Sequence, residues 1–380
     1  MSFGNQLYAK LRGDRVIWMI VAILSIYSIL TVYSASTTEA YRLSGGNTEA
    51  AMIKHTTFIL FGLFLTYVCY LTPYIQYSRM APYLMLIAIP LLVYTMAFGV
   101  EFNEATRWIR VPFVGLTFQP SDFAKLALII YVARAISSKQ EYIDDFNDAF
   151  MPIIIPILIV CGLIAPDDLS TAAVLFFTCL LMMFMGRVNL KYILLLMFLG
   201  VVLFSFLVTL GTIFPETVRI GTWVKRLTAF WYGEAGAENI QVLQSKIAIA
   251  NGEWFGVGPG NSMQRNFIPA SNSDYIYAII FEEYGLILGG FVILFLYVAL
   301  FFRVVTIVTR SPKAFGAMLA LGLGLLISLQ AMMNMGVNVN ILPVTGLALP
   351  MVSKGGTSVI FSAIAFGMIL SVSRYIEKTT

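Results

Sequence analysis

Charge is scarce in this sequence. Asp, Glu, Lys and Arg together make up 12% of its 380 residues, about half of the roughly 25% found in soluble domains. That shortfall excludes a soluble enzyme, a disordered chain and a nucleic-acid-binding protein, and the net charge of +4 is spread out rather than gathered in a basic run. Histidine occurs once, at His55, so no His-ligated metal centre can form and the metal expectation is none. The three cysteines, Cys69, Cys161 and Cys179, fall inside apolar runs, which argues against a disulfide framework. P-loop and G-x-S-x-G signatures are absent, and Ser121 and Lys125 are one residue too far apart for an S-x-x-K nucleophile.

Long apolar stretches take the place of charge, with 59% of residues hydrophobic. A helix crosses a hydrocarbon core of about 30 Å with about 20 apolar residues. Ten such segments are predicted near 16–35, 56–72, 81–99, 122–137, 149–165, 171–186, 192–213, 276–302, 313–334 and 357–375. The first is too long for a signal peptide and is expected to stay in the protein. The predicted fold class is therefore all-α: a polytopic integral membrane protein forming one domain over 1–380, with a large extracytoplasmic loop at 214–273 between helices seven and eight. With the N-terminus inside, the short inner loops and termini carry thirteen Lys and Arg and the short outer loops five. The positive-inside rule then puts both termini in the cytoplasm.

An ionisable group at membrane depth costs several kcal/mol and needs a reason. Asp122 and Lys125 are three apart, on one face of the fourth helix. They read either as a first-turn anion with a snorkelling lysine or as an ion pair organising a cavity. Asp168 reads as a helix N-cap or a site group, with Asp167 as its rival. Arg107, beside Trp108, suits an interfacial anchor or bidentate phosphate binding. The 256–262 glycine run is broken by Pro259 and lacks the context of a dinucleotide motif, so a turn or close backbone approach is expected. Asp274 stands where the eighth helix enters the membrane, as an N-cap or as a partly desolvated carboxylate fit for a general base. Glu282 and Glu283, deeper in that helix, must face protein or water. Together Arg107, Asp122, Lys125, Asp168, Lys246 and Asp274 are expected near one interface, around a cavity suited to a lipid tail, a diphosphate and sugars.

Several separated motifs carry a resemblance. Ala105-Thr106-Arg107-Trp108-Ile109 is similar to G-A-x-R-W-I, and Gln119-Pro120-Ser121-Asp122-Phe123-Ala124-Lys125 to Q-P-S-E-F-A-K with Asp for Glu. Asp168-Leu169-Ser170-Thr171 resembles D-L-G-T, and the stretch from Gln244-Ser245 to Ser262 resembles a Q-S and glycine-rich segment. Asp274-Tyr275-Ile276-Tyr277-Ala278, then Glu282-Glu283, resembles D-F-I-F-A and E-E-x-G, while 342–350 and 353–358 resemble L-P-V-T-G-x-x-L-P and S-Y-G-G-S-S with Lys354 for Tyr. These are motifs of the SEDS family of shape, elongation, division and sporulation proteins, which includes RodA, FtsW and SpoVE. The resemblance implies a peptidoglycan glycosyltransferase of the bacterial cytoplasmic (inner) membrane that polymerises lipid II on its outer face. The implied partners are a class B penicillin-binding protein, other division or elongation proteins and membrane lipids, with no nucleic acid.

By the family pattern Asp274 is the catalytic base. Arg107 and Lys125 would stabilise the departing diphosphate, Asp122 would hold Lys125, and Asp168, Lys246 and Ser262 would belong to the substrate site. No cofactor is evident, although Asp274 and a diphosphate could share a divalent cation, Mg or Mn. The run at 334–340 looks more like division-type FtsW proteins of the Bacteroidetes than like elongation-type RodA. Two alternatives stand beside the enzyme: a lipid II flippase and a non-catalytic scaffold for a penicillin-binding protein.

Overall fold

Backbone in lipid has no water to bond to, so a chain this apolar must close its N–H and C=O groups within helices. The computed structural model describes residues 13–36, 48–102, 105–110, 117–213, 220–232, 237–269 and 271–376, and these are overwhelmingly helical. The helices are α1 (Arg15–Ala35), α2 (Thr48–Leu71), α3 (Tyr74–Phe98), α4 (Pro120–Ser138), α5 (Met151–Ile164), α6 (Leu169–Met185), α7 (Leu190–Ile213), α8 (Ile220–Tyr232), α9 (Ala237–Gly252), α10 (Ile276–Gly285), α11 (Val292–Arg310), α12 (Ala314–Asn338) and α13 (Thr357–Ile376).

Seven segments of the described residues are long and apolar enough to span a membrane: α1, α2 from Met52, α3, Phe146–Ile164, Ile276–Arg310, α12 and α13. Leu169–Met185 and Leu190–Phe206 are shorter apolar helices. The remaining expected segment, the fourth, is α4, an interior helix buried along most of its length. The chain is thus polytopic and all-α, with helices at all ten expected places.

Three features differ from the sequence reading. First, the stretch after α3 forms a small antiparallel sheet of β1 (Val100–Phe102), β2 (Ala105–Arg110) and β3 (Thr117–Phe118), in the order β1-β2-β3. Six residues of β2, alternating in a turn-rich stretch, are too few to stand out by pattern. Second, the described part of the 214–273 loop contains two helices, α8 and α9. Third, the eighth segment is not one continuous helix. It breaks at Gly285, where φ is +75°, and restarts through a π turn, Leu286–Phe291.

The break explains the glycine run. Val257 and Gly258 donate their N–H groups to the carbonyls of Glu282 and Glu283 at 2.9 and 3.0 Å, while Leu286 and Ile287 donate to Glu253 and Trp254 at 2.9 and 3.2 Å. The 253–258 segment thereby satisfies the backbone that the break sets free. Gly256 (φ +82°) and Gly285 face each other so closely that a Cβ on Gly285 would lie 2.4 Å from the Gly256 nitrogen. The glycines serve close backbone approach.

Apolar side chains divide by role. Leu86, Phe98 and Phe198 lie on the outside of the bundle, as lipid-facing residues do. Ala320, Leu319, Leu323 and Ala331 make α12 the central post, packed against α4, α6, α11 and α13. Glu282 and Glu283 are buried and bonded, Glu282 to Ser262, Asn251 (3.3 Å) and the Gln264 N–H (3.2 Å), and Glu283 to Ser34.

Candidate functional site

At one end of the bundle the sheet, α4, the start of α6, α8, the turn before α10 and the 342–356 loop enclose a cavity of about 300 Å³. Its charged lining groups are Arg107, Asp122, Lys125, Asp168, Arg226, Asp274 and Lys354, and Gln330 stands on its α12 wall. Five of the seven residues expected at the site, Arg107, Asp122, Lys125, Asp168 and Asp274, share this one space.

Each is held by local physics. Pro120 opens α4 because a first-turn residue needs no N–H partner, and Asp122 sits in that first turn where the helix dipole favours an anion. One turn on, the Lys125 ammonium lies 2.7 Å from the Asp122 carboxylate, both side chains at most 10% exposed. The pair is buried, and the lysine turns to its partner instead of snorkelling away. Asp168 fills both roles left open for it. Its Oδ1 accepts from the Thr171 N–H at 3.0 Å as the N-cap of α6, and its Oδ2 lies 3.3 Å from Arg107 Nη1. Arg107 is fixed further by the Asp167 carbonyl, which accepts from Nε at 2.9 Å and from Nη2. Asp168, and not Asp167, lines the cavity; Asp167 faces a small neighbouring pocket with Leu92 and Thr95.

Asp274 is anchored through its backbone. Its carbonyl accepts from Asn334 Nδ2 at 2.8 Å and Asn338 Nδ2 at 2.9 Å, two residues one turn apart on α12. Asn338 also accepts from the Ala278 N–H at 3.0 Å, and the Ser273 carbonyl accepts from Ser353 at 2.6 Å. The start of α10 is thus stitched to α12 and to the 342–356 loop, and the side chain is left to face the cavity. Gly346 (φ +71°) closes over it: a Cβ there would lie 3.6 Å from Asp274 Oδ2. Burial and the nearby Asp168 charge push the Asp274 carboxyl above the ordinary carboxylate range, against the Ser273 hydrogen bond and the charges of Arg107 and Arg226.

Two expected residues lie elsewhere. Lys246 is exposed on α9 and is not among the cavity residues. Its neighbour Ser245 is the one that turns inward, donating to the Asn338 carbonyl at 2.8 Å. Ser262 is buried with its hydroxyl given to Glu282, so it and the glycine run brace the α10 break instead of lining the cavity. The sequence reading missed Arg226 and the asparagines of α12. Arg226 sits on α8, Ile220-Gly221-Thr222-Trp223-Val224-Lys225-Arg226-Leu227, whose apolar and polar residues alternate at helical spacing. That amphipathic pattern is the signal that could have found it. Among the described residues no group of three or more His, Cys, Asp or Glu is placed to hold a metal ion.

Known proteins share this architecture. Residues 14–378 match the family model FtsW/RodA/SpoVE, described as cell cycle protein. A protein of Trichlorobacter lovleyi named "Probable peptidoglycan glycosyltransferase FtsW" is 34% identical over 95% of this chain and 93% of its own. Stage V sporulation protein E of Bacillus subtilis is 32% identical over 96% and 98%. The fold is also that of a solved structure described as "Structural coordination of polymerization and crosslinking by a peptidoglycan synthase complex", with TM-score 0.75 and 22% identity over 96% of this chain and 98% of that one. Thermus thermophilus RodA gives TM-score 0.68 at 21% identity over 96% and 98%. With one family model spanning nearly the whole chain and relatives above 30% identity, this chain belongs to the FtsW/RodA/SpoVE family of cell cycle proteins.

Proposed function

We propose that this protein is a peptidoglycan glycosyltransferase that joins lipid II units into glycan strands on the outer face of the cytoplasmic membrane, with both termini inside. The observation that carries the reading is the Asp274 carboxyl facing a cavity whose cations are Arg107, Lys125, Arg226 and Lys354. A raised pKa makes the Asp274 carboxylate a stronger base toward a sugar hydroxyl. That hydroxyl oxygen attacks the anomeric carbon of the donor, its proton goes to Asp274, and the bond from that carbon to the diphosphate oxygen breaks. Undecaprenyl diphosphate leaves with the bonding electrons. Negative charge grows on the diphosphate in the transition state, and fixed guanidinium and ammonium groups stabilise it there. Arg107, pinned by Asp168 and the Asp167 carbonyl, is pre-oriented for bidentate contact, and Lys125 keeps its place through Asp122.

A flippase needs a polar route through the bundle. Below the cavity, Leu128, Ile129, Leu319 and Leu323 are fully buried apolar residues, which favours the enzyme over the transporter. The names of the FtsW relatives support the chemistry. The similar fold in a synthase complex that coordinates polymerization with crosslinking supports a class B penicillin-binding protein as partner. We place the chain in the division branch, as those relatives' names suggest. The test is in vitro polymerisation of lipid II by the protein co-purified with its transpeptidase, run beside lipid II translocation in proteoliposomes. Strands without translocation support the enzyme; translocation without strands overturns it.

A further inference from the structure

At the end of the bundle opposite Asp274, the start of α1 and the ends of α11 and α13 enclose a second cavity of about 270 Å³. Its charged groups are Asp14, Arg15, Arg303 and Arg310. Asp14 is the single acid among the described lining residues, and its carboxylate is fully engaged. Its Oδ1 caps α1, accepting from Val16 and Ile17 N–H groups at 3.0 and 3.2 Å, and its Oδ2 accepts from Arg303 Nε at 2.8 Å and lies 2.6 Å from Nη2. Ser373 is engaged too, accepting from the Asp14 N–H at 3.1 Å and donating to the Leu370 carbonyl at 2.8 Å.

Two positive charges are left over. Arg15 and Arg310 are exposed at the rim, and neither pairs with a carboxylate among the described residues. Arg15 occupies the first position of α1, where the helix dipole disfavours a cation. With three arginines and one aspartate on its lining, the cavity keeps an excess of two positive charges after the Arg303–Asp14 pair is formed. The cavity also lies at one end of three membrane-spanning segments, at the start of α1 and the ends of α11 and α13, with Ile307 on its wall.

We propose that this cavity binds the phosphodiester headgroup of an anionic phospholipid. Basic pockets between transmembrane helices recognise such headgroups, and guanidinium groups match phosphate oxygens in paired hydrogen bonds. Arg15 and Arg310 bind the phosphate, while Arg303, fixed on Asp14, supplies background charge. This site stands independently of the proposed chemistry at Asp274.

The test is native mass spectrometry of the full-length protein in detergent, titrated with phosphatidylglycerol, with phosphatidylethanolamine and with inorganic phosphate. Each basic side chain near an anionic headgroup contributes about fivefold in affinity, so Arg15→Gln/Arg310→Gln should weaken phosphatidylglycerol binding by about twenty-five-fold. Lys191→Gln, an exposed cation starting α7 at the same end but outside the cavity, should leave it unchanged. Should the double variant fail to fold, Arg310→Gln alone should lose about fivefold in the same titration. Equal retention of phosphatidylglycerol by variant and wild type overturns the proposal. So does equal binding of phosphatidylethanolamine, or displacement of the lipid by inorganic phosphate at equal concentration, which would mark a site for a soluble anion.

Discussion

Replacing Lys125 by Met should cost more than replacing both members of its pair. The ammonium lies 2.7 Å from Asp122, whose side chain is 5% exposed and whose Oδ2 finds no hydrogen-bond donor among the described residues. Lys125→Met leaves that carboxylate buried beside apolar Leu126 and Leu326 with one neighbour fewer, and an uncompensated buried charge costs about 3–5 kcal/mol. The first-turn position of Asp122 returns about 0.3–1 kcal/mol through the helix dipole, so roughly 2–4 kcal/mol remains. Asp122→Asn/Lys125→Met removes both charges and keeps similar volumes, so it should cost less than the single change. The coupling term of the double-mutant cycle should then be about 2 kcal/mol. At about 2.1 cal/mol/K per residue over 380 residues, 3 kcal/mol corresponds to about 4 °C in melting temperature. Thermal unfolding of the four proteins in one detergent reads this directly. A double variant that melts as low as Lys125→Met, or lower, would falsify the buried-pair argument.

Other outcomes follow from the same geometry. The acid limb of the kcat/KM profile should follow Asp274, because a base works only when deprotonated and activity falls as pH drops through its raised pKa. Asp168→Asn removes a repelling charge and should move that limb to lower pH, whereas Arg226→Gln removes a stabilising one and should move it to higher pH; limbs that stay put would detach Asp274 from the profile. Asn338→Ala strips one of two donors from the Asp274 carbonyl and the acceptor from the Ala278 N–H, so it should cost about 2 kcal/mol in stability and lower kcat, read by melting and by turnover. Gly256→Ala puts a Cβ 2.3 Å from the Glu283 carbonyl oxygen at a φ of +82°, and should abolish the folded yield while Gly260→Ala, with open space around it, is tolerated better.

The helices were legible because a span needs only composition and length, signals that survive without tertiary information. Their ends were not. α2 starts at Thr48 and α3 at Tyr74, several residues before the expected 56 and 81, because polar residues continue a helix once its apolar part has nucleated it. Asp122, Lys125, Asp168 and Asp274 could be singled out since a charge beside an apolar run demands explanation. Lys246 was misplaced because a lysine in a polar loop carries no such demand; its helix turns it to the exposed side while Ser245 faces in. Ser262 is expected at the substrate site, but its hydroxyl goes to Glu282 beside the helix break, a contact between separate segments that no local pattern encodes; the close backbone approach expected of the glycine run is what the break uses. Asn334 and Asn338, hidden in an apolar helix, make sense only once the Asp274 carbonyl is seen between them.

The most direct measurement compares lipid II polymerisation by wild type and Asp274→Asn, each co-purified with its transpeptidase and matched in melting temperature. The account predicts long glycan strands from wild type and none from the variant, with lipid II still bound by both because Arg107 and Lys125 are untouched. Strands of equal length and yield from both proteins would contradict it and move the base away from Asp274.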